Sequence, residues 1–313
     1  MKLSEVVSQY IGHKRSLGMR FRTEEFILKA FAKSLDDPMI TNIGAVPVLV
    51  FLNGIGPVTD TWVKKYHVLS GLYRFALARN MVVCSPLPPS IPRRDAPAFV
   101  PYIYSQLELK RLLDAIPGAC GGRVPLDGYV LRALILLLYG AGLRISEALH
   151  LTVGDVDLGQ ACLLIRETKF YKTRFVPLGK DLTKVLTEYS GKRNASHSVE
   201  LQAPFFCQRD GLPVSQSMAR SAFRRMRTAA GVVRDGGART QPRIHDLRHS
   251  AAVHRLIAWY RNGEDLHELL PKLATYLGHV DLSATQRYLT MTPELLHEAS
   301  LRFEHYALEA HHE

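Results

Sequence analysis

The segment HDLRH at 245–249, followed by LGH at 277–279 and by Tyr288 nine residues beyond His279, brings His245, His279, Arg248 and a tyrosine into one stretch. Those groups suit attack on a phosphodiester without a metal. A phenol keeps its proton until about pH 10, so a tyrosine nucleophile needs help near neutrality. Arginine gives that help by gripping phosphate oxygens with a planar, permanently charged fork, and imidazoles donate to those oxygens or move protons. The product would be a covalent phosphotyrosine, which splits one difficult substitution into two easier ones.

A chain of 313 residues with 47% hydrophobic content is large enough for a substantial core and for about two domains. Lys and Arg outnumber Asp and Glu by 40 to 29, a formal charge of +11 that favours a polyanionic partner, with ribosomal contacts and plain solubility as competing explanations. Cys84, Cys120, Cys162 and Cys207 are scattered, with no CxxC pair and no histidines at zinc spacing. They read as buried or free thiols in a reducing compartment, with no metal site among them, and a cytoplasmic protein is expected. The N-terminal MKLSEVVSQY has no long apolar run, and neither a signal peptide nor a membrane span is expected.

The elements that must position these residues fall into two groups. Helical periodicity covers roughly 3–17, 23–35, 44–54 and 60–79, and Trp62, Tyr66, Leu69, Leu72, Tyr73 and Ala76 mark one face of the last segment. Residues 1–83 therefore read as a small all-α domain whose aromatics belong to its core. VCSPLPPSIPRRDAPAFVPYIY carries six prolines, and 84–104 reads as an extended, semi-rigid linker. A second domain, 105–313, opens on SQLE, with Ser105 as N-cap and Glu108 reaching back. Its apolar run from Tyr129 to Tyr139 reads as a buried helix ended by GAGL, and RISEALHL begins another. CLLIRETKFYKTRFVPL at 162–178 has two strand-like runs around a polar tip, as in a hairpin. The fold class is mainly α with a small β-hairpin or sheet: a helical N-terminal domain followed by a mixed α+β domain.

GAGLRISEALHLTVGDV, a hairpin lysine, HDLRH, LGH and the tyrosine occur in that order, and the chain resembles the tyrosine recombinases, the phage-integrase and Xer-type group. The resemblance spans the whole architecture, a helical core-binding domain ahead of a catalytic domain. It implies that Arg144 and Arg248 clamp the non-bridging oxygens of the scissile phosphate, where a phosphorane carries extra charge. His245 takes the proton-handling position, His279 donates to the phosphate, and Tyr288 is the nucleophile; Tyr276, within a packed helix, is the alternative phenol. Glu147, one turn from Arg144, either orients it or merely pairs with it. Lys169 and Lys172 both lie at the hairpin tip; counting back from Arg174 and Pro177 aligns Lys169 with the family's general acid and makes Lys172 a backbone contact. Thr168 and Phe170 stand where the family has glycines, and the stretch between Arg248 and His279 is longer than in shorter members.

From 217 to 248 there are eight arginines against two acids, and RSAFRRMR sets Arg220, Arg224 and Arg227 on one helical face. With Lys172 and Arg174 these are the expected DNA contacts, against the ordinary alternative of a solvated face. Leu295, Leu296, Ala299, Phe303, Tyr306 and Ala307 form an apolar stripe on a terminal helix. It would pack on its own domain or, as the resemblance implies, on a neighbouring protomer. The implied activity is metal- and ATP-independent strand exchange between double-stranded recombination sites by a tetramer on DNA, with accessory proteins as further partners. A type IB topoisomerase, or a DNA-binding protein that has the fold without the chemistry, are the competing readings.

Overall fold

In the computed structural model the chain divides into two units, Met1–Phe99 and Val100–Glu313. The structure describes residues 1–54, 58–92, 100–120, 124–166, 173–238, 240–278, 283–290, 295–301 and 304.

Among its described residues the first unit holds four α-helices, α1 (Leu3–Ser16), α2 (Arg22–Ser34), α3 (Ala45–Asn53) and α4 (Asp60–Leu77). Each offers an apolar face to a common core that includes Leu3, Val7, Leu28, Phe31, Val48, Leu52, Leu69 and Leu72. Helix α4 starts at Thr59, whose hydroxyl accepts the Trp62 N–H at 3.3 Å. The aromatics are core, as their spacing predicts. Trp62 and Tyr73 are buried, the Trp62 indole donates to Asn53 Oδ1 at 2.9 Å, and Tyr66 stacks on Trp62.

The second unit runs α5 (Gln106–Asp114), α6 (Ile116–Ala119), α7 (Gly128–Gly140), α8 (Ile145–Leu149), β1 (Val156–Asp157), β2 (Cys162–Ile165), β3 (Arg174–Pro177), α9 (Lys180–Asn194), α10 (Gln216–Ala229), α11 (Asp246–Arg261), α12 (Leu266–Leu277) and α13 (Ser283–Gln286). The expected hairpin is present as the β2–β3 pair, with Cys162 opposite Pro177 and Ile165 opposite Arg174. A third strand, β1, extends it into an antiparallel sheet of order β1-β2-β3. Two residues are too few to show an alternating pattern, which is why this strand is not legible in sequence. The hairpin tip, 167–172, lies outside the described residues.

Helix α7 is the hydrophobic axis of this unit, with Val130, Leu131, Leu134, Leu137 and Leu138 all buried. The predicted capping box closes α5: Ser105 Oγ accepts the Glu108 N–H at 3.2 Å, and the Ser105 N–H donates to Glu108 at 2.8 Å. The end of the proline-rich stretch is core rather than free connector. Tyr104 is fully buried, its N–H donates to Ser250 Oγ on α11 at 2.8 Å, and its hydroxyl donates to the Arg243 carbonyl at 3.0 Å. It thus braces the turn that leads into HDLRH from behind. No helix among the described residues is long and apolar enough to cross a membrane.

Candidate active site

Three guanidinium groups from separate parts of the sequence meet between α8, β3, α11 and the end of α12. Arg144 precedes α8 as its N-cap residue, and its Nη1 donates to Glu147 Oε1 at 2.7 Å while its Nη2 donates to the Gly278 carbonyl at 2.9 Å. Arg174, at the start of β3, donates through Nη2 and Nη1 to the two oxygens of the same carboxylate at 2.9 and 3.2 Å, and through Nε to the Tyr276 carbonyl at 3.1 Å. Glu147 therefore bridges two arginines. Arg248, in the first turn of α11, is buried and held by two backbone carbonyls, Gly142 and Leu277, each at 2.7 Å.

Two glycines make these anchors possible. Gly142 sits at φ +60° and Gly278 at φ +69°, left-handed conformations that other residues adopt only at a cost. A Cβ on Gly142 would lie 2.7 Å from Leu277, and one on Gly278 would lie 2.7 Å from the Arg174 guanidinium. Each glycine ends or follows a helix and turns its carbonyl onto an arginine, so GAGL and LGH are parts of the arginine mount as well as helix stops.

Positive charge exceeds negative charge at this point. Burial first, then the neighbouring Arg144 and Arg174 cations, pull the Arg248 pKa down to about 10, with Tyr288 and Glu147 acting in the opposite direction. Arg248 stays cationic at neutral pH but has reason to welcome an anion. Burial works to raise the Glu147 carboxyl, yet the hydrogen bonds and charge of Arg174 and Arg144 hold it below the usual carboxylate range. His245 is half-buried, and burial together with Arg248 and Arg243 pushes its pKa down against the pull of Asp246, leaving the ring neutral near pH 7. Such a fixed, desolvated cluster is preorganised for a phosphate whose charge grows in the transition state.

Tyr288 lies in a 3₁₀ turn, Arg287–Thr290, buried in an apolar cluster with Ala252, Val253, Leu256, Leu273 and Leu277. Its hydroxyl is 3.2 Å from His249 Nδ1. The structure thus brings Arg144, Glu147, His245, Arg248 and Tyr288 to one region. Lys169, Lys172 and His279 lie outside the described residues, as do Phe303, Tyr306 and Ala307 of the terminal stripe. Tyr276 is half-buried, with its hydroxyl on the Pro177 carbonyl at 3.3 Å, and acts as packing for β3.

The basic positions separate by environment. Arg174 is turned inward onto Glu147, with its side chain only 12% exposed. Arg227 is half-buried and braces the turn before α11 through the Pro242 carbonyl at 2.8 Å. Its face of α10 is therefore not wholly open to solvent. Arg220 and Arg224 are exposed on that helix. If they touch DNA backbone, the double substitution Arg220→Ala, Arg224→Ala will reduce the slope of log affinity against log salt by about 2, since each lost phosphate contact removes roughly 0.9. Filter binding from 50 to 300 mM salt measures it, and an unchanged slope would place the DNA elsewhere.

His249 lies within the HDLRH motif, whose residue types alone imply no role for it. The available signal was its position four residues after His245, which puts both rings on one side of α11. The glycine carbonyls were not foreseeable, because backbone acceptors leave no trace in residue type.

The described residues thus combine a buried tyrosine and three clustered arginines on a helical unit with a small antiparallel sheet. Residues 105–294 match the model of the Phage integrase family. The putative integrase/recombinase y4rE of Sinorhizobium fredii is 34% identical over 305 residues, covering 96% of this chain and 95% of its own. The tyrosine recombinase XerD of Mycobacterium tuberculosis is 31% identical over 292 residues, covering 87% and 86%. Among solved structures, the lambda integrase tetramer bound to a Holliday junction shares the fold with a TM-score of 0.69 at 16% identity, covering 92% of this chain and 77% of that one. The chain belongs to the phage integrase family, the tyrosine recombinases.

Proposed function

We propose that this chain is a site-specific DNA strand transferase that cleaves and rejoins DNA through a 3′-phosphotyrosine. The observation that carries this reading is the cluster of Arg144 and Arg174, joined by the Glu147 carboxylate, with Arg248, held by the Gly142 and Leu277 carbonyls, in one region with the buried Tyr288. Arg144 and Arg248 would hold the non-bridging oxygens. The Tyr288 oxygen would form the new P–O bond as the P–O5′ bond breaks, and Lys169 would protonate the leaving 5′ oxygen. Arg174 would serve the site through Glu147, by fixing the carboxylate that orients Arg144. The phosphotyrosine conserves the bond energy, so rejoining by a partner 5′ hydroxyl calls for neither ATP nor a metal. Exchange between two duplexes by a tetramer follows the pattern of the lambda integrase tetramer on its Holliday junction.

The test is selection of covalent adducts from a pool of randomised, nicked duplexes, recovered under denaturing conditions and sequenced. Adducts at a common sequence, followed by recombination between two copies of it, are the expected result. Relaxation of supercoils without recombination would make the protein a topoisomerase, and no adduct at any sequence would make it a DNA-binding protein without chemistry.

We propose that the later part of the terminal stripe, Phe303, Tyr306 and Ala307, docks on a neighbouring protomer; Leu295, at its start, is buried in its own chain's cluster with Leu256, Leu273 and Tyr288. A cavity of about 520 Å³ between α7, α11 and α12, walled by Ala258, Trp259, Leu273 and Leu277, is an apolar acceptor of suitable character. Truncation after Leu301, which leaves Leu295 in its own cluster, will then weaken assembly on paired sites while sparing binding to one duplex; native mobility-shift patterns separate the two, and unchanged assembly refutes the assignment.

A further inference from the structure

We infer that His249 is the proton acceptor for Tyr288 and the group that holds its phenol in line for attack, an inference that rests on the strand-transfer reading. His249 Nδ1 lies 3.2 Å from the Tyr288 hydroxyl, within reach for proton transfer, and the phenol is buried, so an imidazole takes the place that water would occupy on an exposed tyrosine. The ring is fixed from two sides. It follows Arg248 directly on α11, whose guanidinium is anchored to two carbonyls, and the His245 ring meets it edge to face at 4.9 Å and 88°. The His249 and Tyr288 rings are themselves in contact, with centroids 5.6 Å apart.

One helical turn therefore carries both halves of the activation. Arg248 favours negative charge at the phosphate and at the phenol oxygen, and His249 receives what the phenol must lose. In the forward step the proton moves from the Tyr288 hydroxyl to Nδ1, a role that requires the tautomer with the ring's own proton on Nε2. The Tyr288 oxygen bonds to phosphorus, and the P–O5′ bond breaks with its electron pair on O5′, which takes a proton from the leaving-group acid. In the rejoining step the 5′ hydroxyl attacks, and the imidazolium returns its proton to the departing tyrosine oxygen. Among the described residues, the hydrogen bond to the phenol comes from His249 and not from His245, which frees His245 to act toward the phosphate.

The experiment uses nicked duplexes recovered by the wild-type selection, in single turnover, with a normal phosphate and with a 5′-bridging phosphorothiolate. A thiolate leaves without protonation, so the sulfur substrate erases defects in leaving-group protonation and leaves defects in nucleophile activation in place. His249→Phe is expected to form adduct about 10²-fold more slowly than wild type on both substrates, with duplex affinity unchanged within about twofold. His249→Asn, whose amide oxygen falls near the position of Nδ1, is expected to recover about tenfold over the phenylalanine variant, and it alone decides the matter if His249→Phe does not fold. A rate within about threefold of wild type for either variant on the phosphate, or full recovery of His249→Phe on the phosphorothiolate, overturns the assignment. A wild-type protein that yields no adduct strikes the strand-transfer reading instead, and is seen before any variant is made.

Discussion

Tyr288→Phe is expected to bind the selected duplex with wild-type affinity and to form no covalent adduct, a loss of at least about 10⁴-fold in cleavage. Phenylalanine fills nearly the same space in the cluster of Leu256, Leu273 and Leu277, so the fold keeps its apolar contact and loses only the hydroxyl facing His249. That separation makes the variant informative: a drop in thermal stability larger than about 1 kcal/mol would mean that the hydroxyl is mainly structural. The phenol oxygen is 3.2 Å from His249 Nδ1 of its own chain, so on the proposed reading the nucleophile acts within the site of its own protomer. Mixing Tyr288→Phe with Arg144→Ala should then restore no cleavage, because neither protomer carries a complete site. Adduct from the mixture would show that the tyrosine is delivered to a neighbour, and adduct from Tyr288→Phe alone would remove it as the nucleophile.

Glu147→Gln is the second large effect, and it acts on stability and chemistry together. The carboxylate is buried, with its side chain 6% exposed, and neutralises two guanidinium groups at once. An amide of the same size presents N–H groups to donors and leaves two closely spaced cations without their anion. Removing one partner from such a buried ionic group costs about 3 kcal/mol, or on the order of 10 °C in melting temperature for a unit of this size. Arg144 would lose the bond that fixes its Nη1, and cleavage should fall by about 10²-fold through poorer placement of the phosphate clamp. Thermal melting and single-turnover cleavage of the same preparation measure both effects; a variant that melts with wild type would show the bridge to be dispensable.

The same carboxylate sets a pH response. Its pKa in the folded chain lies below the ordinary 4.5, so the folded state binds fewer protons at this position than the unfolded state. Its contribution is complete above about pH 4.5 and is withdrawn as pH falls through the lower folded value. Wild type should therefore lose stability below pH 4.5 more steeply than Glu147→Gln, and parallel acid melting curves would contradict the bridge. His245 has the opposite chemistry and the same direction: its pKa is lowered, so it is neutral above pH 6.5, and protonating it beside Arg248 in acid opposes folding.

Some of this protein was determined by its sequence. The helices of the first unit, the capping box at Ser105, the apolar α7 and the β2–β3 pair follow from local periodicity and capping chemistry, which act over a few residues and so appear in residue order. Arg144, Arg248 and Tyr288 were visible because their chemistry depends on side-chain type and their motifs are specific as a set. The tertiary structure decided how these groups meet. Glu147 proved to be a bridge between Arg144 and Arg174, a contact across 27 residues, and Arg174, expected among the DNA contacts, is turned onto that carboxylate. Tyr104, at the end of a proline-rich stretch that reads as linker, became core because its hydroxyl and its N–H both find partners around α11. The carbonyls of Gly142, Tyr276, Leu277 and Gly278 hold the arginines, and His249 meets Tyr288, only because α7, α11 and α12 pack so that their ends converge. Local sequence carries the chemistry of a side chain and the period of its helix. Which distant carbonyl or ring it meets depends on the burial of apolar faces contributed by the whole unit, and that information exists only once the chain has folded.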